Sequence, residues 1–574
     1  MARIFLSAPP DSRGSSGFFA VVRVLGVMFG SVVVLVGVLY SFYIGYTDLS
    51  SDPVVLETHG LEADETGRRV SYGRSWMARR GRLWETHLEG SAEEMGAAQG
   101  HLAGRLHRDI DRQLNDVLGA RYPASIQAWA EQMLLRWDFR GADAGLEPHE
   151  RRELAALAQS LPTDESGVFS TYHRLFLYQC FLDLAERLQD IVVSGTTFAV
   201  APRSTASGTE AGNLVIGRSL SLDLTEDLRV DTVVSFRYPD GKYPYVSVGW
   251  AGLVGVITGI NARGIFVSGN PARTDEPREE KARPLTMVLR EVMEQADTLE
   301  QAEAILRNTD LRSSATVLIG DGVQRKAIVI ECGARAREER RLVRGDDQSV
   351  VWVTDHMVRD AFEADAENDR MKQQTASGYR YARLAELLQR PVNFSPESAR
   401  AILRDRNGQN DIELGLGNRN AIENLRVTQS VVLDATAMVL WVAEGPSTLG
   451  RYRSFDLRHR LGRQGSRPAP LDDFPSDRLL HSEEYNDYQE SIENIEYSRF
   501  LLGEGRLDEA RSAAQVALAL APDLGELHRL LGDIERELGD VAAARAHYRR
   551  YIDLVPGRLR DRNRVLGIID EISD

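Results

Sequence analysis

The chain has 574 residues, 43% hydrophobic and 27% charged, the balance of a folded globular protein. That length exceeds what one ordinary core holds, so several folded units are expected. A formal net charge of -16 argues against nucleic acid as a partner, because phosphate binding needs a basic face. No His-rich or Cys-rich cluster has metal-ligand spacing, so neither a metal nor another cofactor is expected.

No charged side chain lies between Arg23 and Asp48. As a helix, Val24 to Thr47 would extend about 36 Å at roughly 1.5 Å per residue, enough to cross a bilayer. The run is longer than the apolar core of a signal peptide and ends in Tyr40, Tyr43 and Tyr46, placed as interfacial anchors would be. Arg3, Arg13 and Arg23 precede it, and Asp48, Asp52 and Glu57 follow. Residues 1–23 therefore read as cytoplasmic, 24–47 as a single-pass transmembrane signal anchor, and the body as periplasmic or extracellular. The bland alternative is a buried soluble helix, which rarely stays uncharged for so long.

Residues 48–87 read as a linker. Ser91 with Glu94 three residues on opens a helix that runs through His101. Cys180 sits in an apolar helix-like run and Cys332 ends an apolar strand, so both read as buried structural thiols. The sequence leaves open whether they pair.

From Val193 the pattern turns to strands. Val193–Val200 opens on small residues and Asn213–Leu222 follows; Tyr245–Trp250 and Gly255–Ile260 are rich in β-branched residues. Asn261-Ala262-Arg263-Gly264 is a tight turn, after which Ile265–Asn270 returns as a strand. Apolar spacing of three and four predicts helices over 284–293 and 298–306. Further strands are expected at 315–319, 327–331 and 350–356, with a closing hairpin over 427–443.

These segments, in this order, resemble the N-terminal-nucleophile hydrolases of the acyl-coenzyme A:6-aminopenicillanate acyltransferase kind, relatives of the choloylglycine hydrolases. The resemblance covers roughly Leu88 to Pro446. It implies an α+β fold, a four-layer αββα N-terminal-nucleophile-type sandwich, over 88–460. In that family a cysteine before Thr-Thr or Thr-Ser becomes the new chain N-terminus by self-cleavage, and its amine is the base; His101 then has only a helix-surface or interface role. Here the matching position is Gly195. The second strand, Gly-Arg-Asn-Leu-Asp in relatives, keeps Arg218 but carries Ser219 and Ser221 at the asparagine and aspartate positions. A serine hydroxyl hydrogen-bonds but supplies no charge to tune an amine. Asn270 stands where relatives have an oxyanion donor, a group worth about 3 kcal/mol of barrier; the equal alternative is an Asn capping the turn before Pro271. Thr354-Asp355-His356 resembles the family's Thr-Asn-His, and Ser377 and Arg380 fall where relatives place a supporting Ser/Arg pair. Arg380 reads equally well as a solvated helix residue.

Three readings of Gly195 follow. In the first, catalysis is lost and the domain binds or scaffolds. In the second, Thr196 is the nucleophile of an autoproteolytic amide acyl hydrolase or acyltransferase, assisted by Arg218 and Asn270, with an amide-containing small molecule as substrate. In the third, Ser194 serves. Moving one position along a strand turns the side chain to the opposite face, and only a bulge would restore it. Ser219 and Ser221 favour the first reading over Thr196, and Thr196 over Ser194.

Residues 461–488, with Pro468-Ala469-Pro470, read as a second linker. Beyond it Gly505 and Gly539, Ala510 and Ala544, Leu520 and Leu554, and Pro522 and Pro556 each recur at a spacing of 34, the tetratricopeptide signature. Residues 489–574 are thus expected to form an all-α repeat module for a protein or peptide partner. Two repeats alone are marginal, so they should pack on the larger domain, another chain or flanking helices.

Overall fold

The computed structural model describes all residues except 1–12, 122–125, 163–168, 188–191, 203–211, 224–230, 277–281, 334–336, 342, 345–347, 391–393, 463–470, 556–558 and 573–574. Arg3, the Pro468–Pro470 run and Pro556, which carried expectations above, lie outside the described residues.

The uncharged run folds as one helix, α1 (Arg13–Thr47), whose part Val27–Thr47 is long and apolar enough to cross a membrane. The stretch expected as a linker from 48 to 87 instead carries strands from residue 61 on. It forms β1 (Leu61–Ala63), β2 (Arg69–Tyr72), β3 (Ser75–Arg80) and β4 (Leu83–Gly90). The reason is hydrophobic: Tyr72, Leu83 and Leu88 are all buried. Helices α2 (Ala92–Arg121), α3 (Ile126–Phe139), α4 (Pro148–Ser160), α5 (Thr171–Gln179) and α6 (Phe181–Arg187) follow. The Ser91 hydroxyl accepts from the Glu94 N–H at 3.2 Å and the Glu94 carboxylate accepts from the Ser91 N–H at 2.7 Å, so two orphan donors at the start of α2 are satisfied reciprocally.

Next come β5 (Val192–Pro202), β6 (Val215–Asp223), β7 (Val233–Pro239), β8 (Tyr245–Gly249), β9 (Thr258–Asn261) and β10 (Ile265–Pro271). The turn between β9 and β10 is held by the Asn261 side-chain oxygen, which accepts from the Arg263 and Ile265 N–H groups at 3.0 Å each. Helices α7 (Leu285–Gln295) and α8 (Leu299–Asn308) precede β11 (Ala315–Asp321), β12 (Lys326–Cys332), β13 (Arg337–Arg341), β14 (Val343–Arg344) and β15 (Gln348–Val353). Helices α9 (Ala366–Gln374), α10 (Ser377–Gln389) and α11 (Pro396–Leu403) lead to β16 (Gln429–Asp434), β17 (Val439–Ala443), β18 (Tyr452–Asp456) and the short α12 (Leu457–Leu461).

Eleven strands form one sheet in the order β1-β2-β3-β4-β7-β8-β9-β10-β11-β12-β13, and seven form another in the order β14-β15-β5-β6-β16-β17-β18. Apart from β4 beside β7, the neighbours are antiparallel. The sheets face each other across a core of Ala199 and Ile216 from the smaller sheet with Phe236, Ile260 and Phe266 from the larger. Helices α4, α5, α7 and α8 cover the outer face of the larger sheet, while α10 and α11 cover that of the smaller. This is the expected αββα layering. Cys180 and Cys332 are both buried and form no disulfide with each other.

The C-terminal region is all helix: α13 (Glu483–Gly503), α14 (Leu507–Leu520), α15 (Gly525–Leu538), α16 (Val541–Leu554) and α17 (Leu559–Glu571). The 34-residue period is physical. Gly505 and Gly539 both take left-handed backbone, with φ of 74° and 84°, and Ala510 and Ala544 are both fully buried. Ser498 and Gly532, also 34 apart, sit at helix crossings; the Ser498 hydroxyl donates to the Ala510 carbonyl at 2.7 Å, and Gly532 lies against the Tyr548 ring. The module docks on the sandwich: Asn418 donates to the Leu554 carbonyl at 2.7 Å, Arg426 pairs with Glu526 at 3.1 Å, and Leu449 enters the repeat core. Phe474, inside the stretch expected as the second linker, stacks on Trp441, so 471–481 adheres to the sandwich.

A Cβ at residue 532 would lie 2.5 Å from the Tyr548 ring. Gly532→Val is expected to push α15 off α16 at a cost of about 1–3 kcal/mol, seen by hydrogen exchange as faster opening of α15 and α16 with β5 to β12 unchanged.

Candidate functional site

Strand β5 runs through the middle of the smaller sheet, paired with β15 on one side and β6 on the other. Its side chains alternate between two environments. Thr197 and Ala199 face the larger sheet: the Thr197 hydroxyl accepts from Ser268 at 3.3 Å, and Ala199 joins the inter-sheet core. Phe198 and Val200 face α10 and α11. Ser194 is on that same side, accepting from Arg380 of α10 at 3.3 Å.

Gly195 therefore faces the larger sheet, and the space a side chain would fill is occupied. A Cβ there would meet the Asn270 side-chain oxygen, with Asn270 Cγ at 2.7 Å and Arg218 Nη1 at 3.0 Å. Arg218, from β6, crosses between the sheets. Its Nε donates to Thr258 at 2.7 Å, Nη2 to the Gly269 carbonyl at 2.7 Å, and Nη1 to Thr197 at 3.1 Å and to the Asn270 side-chain oxygen. Burial lowers this guanidinium to about 9, partly offset by Asp355, and it stays protonated at neutral pH.

Of the three residues proposed as catalytic, the structure brings Arg218 and Asn270 together and leaves Thr196 out. By the alternation of β5, the Thr196 hydroxyl is turned to the helix layer, where it is fully buried and finds no hydrogen-bond partner among the described residues. The Asn270 amide nitrogen is also buried without a partner among them, on the other side of the strand. A nucleophile and an oxyanion donor have to address the same carbonyl. Here the two unpaired groups lie on opposite faces of β5.

Asp355, just past β15, is where the family's pattern has asparagine. Its carboxylate accepts from the Gly195 N–H at 2.6 Å and from Arg380 at 2.8 Å. Ser377 holds the loop, donating to His356 or accepting from it at 2.7 Å and accepting from the Asp355 N–H at 2.9 Å. Arg380 is thus a buried ion-pair partner and not a solvated helix residue. Ser221, at the position where relatives carry an aspartate, is opposite Ser194 in the ladder. The negative charge beside Gly195 comes instead from Asp355, just past β15. The residues that sequence reasoning passed over are Thr197, Thr258 and Ser268, which line the face Gly195 looks onto; counting two along β5 from Gly195 would have found Thr197. His101 packs its ring on Tyr72 at 4.4 Å, far from this cluster in the fold.

With this geometry described, comparison with known proteins adds the following. Residues 225–415, about a third of the chain, match the family profile described as acyl-coenzyme A:6-aminopenicillanic acid acyl-transferase. The match includes Asn270, Asp355 and Arg380 but begins after Gly195 and Arg218. No curated protein sequence matches this chain. Among solved structures, a Caenorhabditis elegans N-acylethanolamine-hydrolyzing acid amidase ortholog is 20% identical, with 42% of this chain and 93% of that one covered and a TM-score of 0.31. Penicillin V acylase from Agrobacterium tumefaciens is 13% identical, with 47% and 88% covered and a TM-score of 0.26. A variant of the conjugated bile acid hydrolase from Clostridium perfringens is 12% identical, with 48% and 98% covered and a TM-score of 0.26.

Two outcomes follow from the site. Gly195→Ala should destabilise the chain by about 1–3 kcal/mol, because Asn270 must leave Arg218 to make room. Asn270→Ala should then cost less in the Gly195→Ala background than alone; additive denaturation midpoints would show that the two positions do not touch.

The second outcome concerns pH. Burial raises the Asp355 carboxyl from 3.8 to about 6, against the pull of Arg380, the Gly195 N–H and Arg218. The folded state then holds this proton more tightly than the unfolded one. Its contribution to stability is full below about pH 4 and lost as pH rises through about 6. Relative to Asp355→Asn, the unaltered chain should lose up to about 3 kcal/mol between those limits. A difference that is constant with pH in urea titrations would show an ordinary carboxyl.

Proposed function

We propose that this chain, whose central segment matches an acyltransferase and amide-hydrolase family, has given up acyl transfer and acts as a membrane-tethered binding scaffold. The observation that carries this is the filled place of the nucleophile: Asn270 and Arg218 close over Gly195 where a cysteine would stand. The hydroxyl next along, Thr196, is turned to the other side of the strand, and Ser194 is tied to Arg380.

In this reading, α1 holds the protein in a bilayer with the basic N-terminal flank on the cytoplasmic side and the sandwich on the opposite side. The tetratricopeptide-like helices then present a surface to a protein or peptide partner. A groove of about 530 Å³ between them is lined by apolar residues such as Leu502 and Ile568, with Arg529, Arg536 and Arg564 set beside Asp533 and Glu537. Its apolar side chains, bordered by charges of both signs, suit a peptide that buries an apolar residue and offers polar groups around it.

The second reading keeps catalysis, with Thr196 freed by cleavage after Gly195 and acting on an amide bond. What favours it is the unpaired Thr196 hydroxyl. It requires β5 to rotate by one residue, breaking the pairing of Thr196 with Ser219 and of Thr197 with Arg218.

The full chain, purified in detergent, separates the two readings. On a denaturing gel it should run as a single species, with no acyl-enzyme adduct by mass spectrometry after treatment with an amide-directed acylating probe. Two fragments split near residue 195, or an adduct lost in Thr196→Ala, would overturn the scaffold reading.

A further inference from the structure

The end of α1 does not leave the bilayer as a free stalk. Arg136, fully buried on α3, donates through Nε to Thr47 at 3.1 Å and through Nη2 to the Ile44 carbonyl at 3.0 Å and to Asp48 at 3.1 Å. It thus adds a second hydrogen bond to the Ile44 carbonyl, which also accepts from the Asp48 N–H at 2.9 Å, and places a cation where the helix dipole favours one. Tyr43 donates to the Met133 carbonyl, and the Ser170 hydroxyl, which caps α5, donates to the Leu49 carbonyl at 3.1 Å. Leu49 is itself buried in the core beneath the helix layer. The join between α1 and the sandwich is rigid, so the height of α3 is set by the height of α1.

That height is the tyrosine zone of α1. Trp137 stacks on Tyr43 at 6.2 Å and lies 6.0 Å from Tyr46, with Tyr46 stacked in turn on Phe42. Trp137 is 43% exposed and Leu134, one turn earlier, is 55% exposed, while Met133 and Arg136 on the other side of α3 are buried. Arg140 lies over the Trp137 ring at 4.3 Å. An apolar stripe beside a tryptophan, rimmed by an arginine and continuous with the aromatic end of a spanning helix, has the composition of a membrane-interface element.

We infer that α3 lies in the interface of the same bilayer that α1 enters, with Leu134 and Trp137 among the lipid headgroups, so that the sandwich sits on the membrane in one fixed orientation. The inference rests on α1 spanning the membrane. Its occupant is lipid, because the stripe borders α1 at its interfacial end and the fixed join holds it at that depth.

The test uses the full chain in liposomes. Cys180 and Cys332 are buried, so a cysteine introduced at one exposed site takes an environment-sensitive fluorophore selectively. Three sites are compared: Leu134→Cys on α3, Val33→Cys in mid-α1, and Ile412→Cys, exposed on the side of α10. Lipids carrying a nitroxide near the headgroup should quench the label at 134 several-fold more than that at 412. Lipids with a deep nitroxide should quench the label at 33. Quenching at 33 with 134 no different from 412 overturns the interfacial placement while leaving the spanning helix in place. A blue-shifted label at 134 that the lipids fail to quench marks a protein neighbour, a second copy of this chain included, and also overturns it. No quenching at 33 removes the spanning helix and the inference with it.

Discussion

One guanidinium holds the two sheets at their catalytically suggestive point. Arg218 reaches out of β6 and is met by Thr197, Thr258, the Gly269 carbonyl and Asn270, four acceptors from three strands. A buried cation needs this degree of hydrogen bonding, since its desolvation is otherwise costly. The arrangement fits only if the neighbouring position on β5 carries no side chain, and Gly195 meets that condition. Glycine here is a packing requirement, with Asn270 occupying the volume that a cysteine would fill.

The electrostatics of the cluster follow from that core. Asp355 is brought to the Gly195 N–H and is balanced by Arg380 on one side and by Arg218 at longer range. Arg218 lies between the sheets and Arg380 on the helix side of β5, with the Asp355 carboxylate between them at the Gly195 N–H. Ser221 carries no charge, and the carboxylate beside Gly195 is that of Asp355, just past β15.

At the two ends of the chain the sandwich serves as a rigid platform. Arg136 caps α1, and Glu526 with Asn418 fastens the repeats. The segments read as linkers carry enough buried side chains, Tyr72 and Leu83 in one and Phe474 in the other, to adhere to the sandwich.

Much of this was legible from residue order alone. The apolar run of α1, the capping box of α2, the turn at Asn261 and the 34-residue period each depend on interactions within a few residues or one repeat, and sequence patterns report such local interactions directly. Single strands such as β8, β10, β11 and β12 were likewise readable, because β-branched runs and glycine turns mark sheet segments, whereas the αββα layering was implied by the family resemblance. What the chain could not announce by itself was which side of β5 each residue faces and what stands opposite. Alternation is local, but the partner surface comes from Thr258, Ser268 and Asn270, far along the chain. Only the packing of one sheet on the other decided that Arg218 and Asn270 fill the place beside Gly195 while Thr196 is left among helices, because that outcome depends on volume and hydrogen bonding between distant strands.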